Sequence, residues 1–197
     1  MQKVILLGLL LLTTPLLPSL AQGRYRHEAY KAIDFFHEAG ATGILVATPN
    51  TTVTMPAFSY KPRLSFGLNR AYSISFSMPL SLFLNYHVIG ENGKRQVKLG
   101  YEIPISVDLN IGLGSTSKCR EDIGFFIGAG FGMSEVSISQ LESSNSQDSK
   151  IAGNYGHLGF RLPLKNRHTY SLSAYTIWGA FHRKVFGFRV LYSLYKY

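Results

Sequence analysis

Cysteine, charge and long apolar runs are what this 197-residue chain has little of. The single cysteine, Cys119, has no partner for an intrachain disulfide, which excludes a disulfide-stapled scaffold and leaves the thiol as an incidental small residue in a turn. Charged residues are 16% of the sequence, low for a soluble domain, whereas 19 Gly, 12 Tyr and 13 Phe suit a protein with an apolar exterior. The formal charge of +9 comes from Lys and Arg scattered singly, with no stripe or helix to follow a phosphate backbone. That argues against nucleic acid and favours anionic lipid headgroups as the contact.

The one long apolar run, Val4 to Leu12, is followed by Pro15 and Pro18, well short of the roughly 20 residues a spanning helix needs. Lys3 before it and Ser19-Leu20-Ala21 after it complete an export signal, with cleavage expected after Ala21. No Cys follows the run, so a lipoprotein anchor is not indicated, and no later segment is apolar enough for a transmembrane helix.

What the chain does have is period-two alternation, in which successive side chains point to opposite faces of a strand. From Val97 to Leu113 every odd position is apolar, whereas Lys98, Gly100, Glu102, Pro104, Ser106, Asp108, Asn110 and Gly112 occupy the even ones. Tyr72 to Tyr86 repeats the arrangement with only Phe83 departing, and 58–68 and 123–133 follow it. Less regular strands are expected over 157–162, 170–174 and 184–197, and an ambiguous first one, blurred by Gly and Ala, over 36–47. The connections alternate: Asn69-Arg70 and Pro163 to Arg167 are tight, Thr48 to Met55, His87 to Arg95 and Glu135 to Lys150 longer, and Gly114 to Glu121 intermediate. Ser-rich 134–150 is expected to be mobile on composition.

Eight strands with one apolar face fit either a soluble barrel, apolar inside, or a transmembrane one, apolar outside. The other face decides: it is mostly Ser, Gly and Asn, too poorly charged for a water-exposed exterior and suited to a narrow lumen. Several runs also reach the 9 to 11 residues that a tilted transmembrane strand needs. The expected fold is therefore all-β, an eight-stranded antiparallel transmembrane up-and-down β-barrel after a cleaved signal peptide. Its divisions are a signal at 1–21, an N-terminal periplasmic segment at 22–35 and the barrel at 36–197.

This pattern resembles the small eight-stranded outer-membrane barrels, the family of OmpX and the OmpA membrane domain. The resemblance covers 36–197 and includes a chain ending in Tyr195-Lys196-Tyr197, although Arg189 and Ser193 depart from the usual alternation counted back from that end. It implies an outer-membrane location, contact with lipid and lipopolysaccharide, and a last strand read by the barrel-assembly machinery. It also implies a structural or surface-interaction role for the loops, against the alternatives of a lipid-modifying barrel enzyme or a narrow channel.

Catalytic patterns are missing. The six histidines lack paired metal-ligand spacing, and Glu102 and Asp108, though on one face, are separated by roughly 20 Å of strand. His168 and Ser171 have the wrong spacing for a lipid A deacylase and opposite faces. Neither enzyme activity, nor a metal, nor a cofactor is expected. By strand phase Lys61, Arg63, Lys98, Glu102, Asp108, Arg161 and Arg189 point inward, and isolated ions there cost several kcal/mol each. A paired structural network is the consequence, with Arg63 and Arg161 the expected partners of Glu102.

Overall fold

The computed structural model describes residues 33–47, 52–89, 94–135, 150–164, 168–179 and 184–194, and for 52, 53, 85–89 and 94–98 the backbone alone. The expected signal peptide, most of the N-terminal segment, the Ser-rich loop and Tyr195 to Tyr197 lie outside the described residues.

The strands are β1 (Ile33–Ala47), β2 (Thr52–Gly67), β3 (Tyr72–Ser77), β4 (Leu80–Ile89), β5 (Lys94–Gly112), β6 (Gly124–Glu135), β7 (Lys150–Pro163), β8 (Thr169–Gly179) and β9 (Lys184–Ser193). Every pairing is antiparallel, and β1 pairs with both β2 and β9, so the sheet closes with no free edge. β3 and β4 each pair with β2 and β5, and are two halves of one stave. Pro79, which has no N–H for the ladder, breaks that stave, while the Met78 amide still donates to the Pro62 carbonyl at 3.2 Å. The barrel therefore has eight staves.

β1 begins at Ile33, three residues before the expected Phe36. Ile33 and Phe35 face outward and Asp34 inward, which continues the strand's phase. β7 likewise reaches back to Lys150, through a Gly- and Asn-containing stretch that carries no clear alternation.

Burial is inverted relative to a soluble protein. Phe58, Leu99 and Phe188 on the outer wall are 60%, 65% and 71% exposed, while Arg63, Glu102, Asp108 and Arg161 inside are fully buried. An exposed apolar belt around the barrel wall far exceeds what a water-soluble monomer shows.

At one mouth lie the links β2–β3, β5–β6 and β7–β8. The first is an Asx turn: the Asn69 side-chain carbonyl accepts from the amides of Ala71 (2.8 Å) and Tyr72 (2.9 Å), which explains its tightness.

Candidate functional site

The lumen carries the polar chemistry, stacked in layers. Nearest the tight-turn mouth, Glu38 on β1 receives Arg63 of β2 (3.8 Å) and Arg161 of β7 (3.6 Å), and its second oxygen accepts from Ser171 of β8 (3.0 Å). Both guanidinium groups also donate to one acceptor across the lumen, the Asn110 side-chain oxygen on β5, at 3.1 and 3.0 Å. Arg63 lies 4.2 Å over the Phe36 ring, and Arg161 4.4 Å over that of Phe126. Flat guanidinium faces on rings and forked edges on oxygens are how buried arginine is usually satisfied.

The middle layer centres on Asp108. One carboxylate oxygen accepts from Ser77 (2.8 Å) and lies 3.8 Å from Lys61; the other accepts from Ser106 (2.7 Å) and meets His157 Nε2 at 2.7 Å. The His157 ring stacks on Tyr155, their centroids 5.1 Å apart. Ser106, His157 and Asp108 do not form a hydrolase relay, which needs the two ring nitrogens of histidine for two different partners. Here Ser106 and Asp108 both approach Nε2.

Asp108, Gly128 and His157 are register partners on β5, β6 and β7, so the Asp108–His157 bond passes directly over the glycine. A Cβ at Gly128 would run into both bonded atoms. Gly128→Ala is expected to destabilise the barrel by about 1–3 kcal/mol through overpacking, read as a shift of the urea midpoint for folding into vesicles. An unshifted midpoint would mean that the pair moves aside freely.

In the third layer Glu102 meets Arg189 at 2.5 Å and accepts from the Tyr175 hydroxyl at 3.0 Å. Arg189 also donates to the Tyr155 hydroxyl (2.6 Å) and lies 3.7 Å over the Tyr175 ring. β5 and β9 are on opposite sides of the barrel, so this pair crosses the lumen. Beyond it, toward the other mouth, the interior turns apolar: Ile44, Val46, Met55, Phe83, Ile177 and Val185 form a buried cluster.

Of the residues singled out by strand phase, Lys61, Arg63, Glu102, Asp108, Arg161 and Arg189 are all buried inside, and the Lys98 side chain is outside the described residues. The expected partners of Glu102 need correction: Arg189 holds it, while Arg63 and Arg161 converge on Glu38. Glu102 pairs in register with Ser81 and Ser134, toward the far mouth, whereas Arg161 pairs with Gly124 and Ser171 near the tight turns. Staves in a sheared barrel are offset along the axis, and period-two phase carries no information on that offset.

Glu38, Asn110, His157, Tyr155 and Tyr175 complete the network and were not among the expected site residues. Asn110 lies on the readable polar face of β5, whereas Glu38 is concealed by the mixed inward face of β1. Among the described residues the buried carboxylates Asp34, Glu38, Glu102 and Asp108 equal in number the buried cations Lys61, Arg63, Arg161 and Arg189. The same residues contain no group of three His, Cys, Asp or Glu placed to hold a metal ion.

No protein-family model matches the chain, and no curated protein matches it in sequence. Solved structures do match in shape. Ail, the attachment invasion locus protein of Yersinia pestis, aligns with a TM-score of 0.56 at 10% identity, covering 83% of this chain and 97% of that one. Its complex with the heparin analogue sucrose octasulfate aligns at 0.55 and 11% identity, with the same coverage. Neisserial surface protein A aligns at 0.52 and 10% identity, over 83% of this chain and 98% of that one. The fold is that of the small eight-stranded outer-membrane barrels.

Proposed function

We propose that this chain is an outer-membrane barrel of structural or surface-interaction type, which anchors exposed loops in the lipid and catalyses nothing. The observation that carries the reading is the inverted burial, with Phe58, Leu99 and Phe188 outside and, among the described residues, four carboxylates and four Lys or Arg side chains buried inside. Lipid acyl chains match the outer wall, and closure leaves no unpaired strand edge in hydrocarbon. Lipopolysaccharide is the neighbour at the outer leaflet, and the C-terminal strand is the element offered to the assembly machinery. A channel is disfavoured by Arg189, which spans the interior to Glu102, and by the apolar cluster beyond it.

The links on the mouth opposite the tight turns, including the one containing Ser144, are the surface-facing ones in this reading. A tag inserted at Ser144 is expected to be labelled on intact cells and one at Asn69 only after the outer membrane is opened, with the protein fractionating with the outer membrane. Unheated protein should run compact on a gel and boiled protein more slowly. Labelling at Asn69 on intact cells would reverse the topology, and release into the aqueous phase without detergent would end the membrane assignment.

A further inference from the structure

Barrels of this architecture keep the links at one mouth short. The β5–β6 link, residues 113–123, shares the mouth of the tight turns and is longer than either. It folds back into the barrel: Leu113, Ser115, Thr116 and Cys119 are buried, whereas Lys118, Arg120, Glu121 and Asp122 remain exposed. Gly112 and Gly114, with φ of 73° and 74°, make the reversal in a backbone region that side-chain-bearing residues rarely adopt. The Ser115 carbonyl accepts from Ser65 (2.8 Å) and Ser73 (2.7 Å), Thr116 donates to the Arg70 carbonyl (2.7 Å), and the Ser117 amide donates to Asp34 (3.0 Å).

We propose that this segment is a plug, latched into its mouth by Arg63. One arm of the Arg63 guanidinium donates to the plug's Gly114 carbonyl at 2.8 Å, while the same group faces Glu38 and binds Asn110. The group that holds the plug is therefore one of the two guanidinium groups that face Glu38. The link closes its end of the barrel independently of the apolar cluster at the other end. This property belongs to the barrel wall and does not depend on what the loops opposite bind.

Cys119 reports on the seat, because it is the chain's single thiol and is buried in the plug. In purified, folded barrel a membrane-impermeant maleimide is expected to label it slowly, and after heat denaturation at the full rate of a free thiol. Arg63→Met, in protein that still migrates as the compact form, should speed labelling about tenfold or more, the effect of one lost charge-assisted hydrogen bond on a local opening equilibrium. Labelling of the unaltered compact barrel at the denatured rate would overturn the plug. Full protection in compact Arg63→Met would overturn the latch. Where Arg63→Met fails to fold, the double variant Ser65→Ala, Ser73→Ala removes both donors to the Ser115 carbonyl. Faster labelling then supports the seat, and unchanged protection refutes it.

Discussion

Glu38→Ala is expected to destabilise the barrel by about 3–5 kcal/mol, the scale for removing one partner of a buried ion pair. The carboxylate is almost fully enclosed and stands between two guanidinium groups, at 3.8 Å from Arg63 and 3.6 Å from Arg161. Without it the two arginines retain Asn110 as their shared acceptor, a neutral group that cannot offset two cations, and Lys61 lies in the next layer. Glu38→Gln, which keeps the shape and an oxygen for Ser171, should lose less. The measurement is urea-induced unfolding from vesicles, supported by the temperature at which the compact gel form disappears. A loss below about 1 kcal/mol, the worth of an exposed pair, would mean that lumen water solvates these arginines.

That the most connected acid of the lower layer escapes a reading of the sequence has a physical cause. β5 announces itself because from Leu99 to Gly112 its outward side chains are apolar and its inward ones small or polar. β1 has Phe36, Glu38, Thr42, Ile44 and Val46 all facing inward, so no polar stripe separates from the apolar one. The mixture reflects position along the axis, since inward residues are charged near the plugged mouth and aliphatic toward the other. Phe83, the one break in the alternation of its stave, belongs to the same apolar end. It lies opposite Gly100 in register, and its ring fills the space that a side chain there would occupy. Strand number, face and closure were thus legible from period two and the character of the polar face. The axial offsets that pair Glu102 with Arg189 were not, because they depend on register between strands far apart in sequence.

The Glu102–Arg189 pair offers the second large effect and separates stability from specificity. Among the described residues, Glu102→Ala leaves a buried guanidinium with the Tyr155 hydroxyl as its hydrogen-bond partner, and Arg189→Ala leaves Glu102 with that of Tyr175. Each single variant should lose about 3–5 kcal/mol. The double variant Glu102→Met, Arg189→Met carries no charge at this level and fills similar volume beside the apolar cluster, where Phe83 and Ile177 already pack. It is expected to recover most of that loss and to remain below the unaltered barrel by about 1–3 kcal/mol, the cost of the Tyr155 and Tyr175 hydroxyls left without their partners. A double variant as unstable as the sum of the two singles would show that the ion pair is not the unit of stabilisation. Recovery to full stability would place the pair's value in fixing how β9 registers against the opposite wall. The same double variant should then fold into vesicles more slowly or into more than one gel form, since an apolar lumen no longer distinguishes one stave alignment from its neighbours.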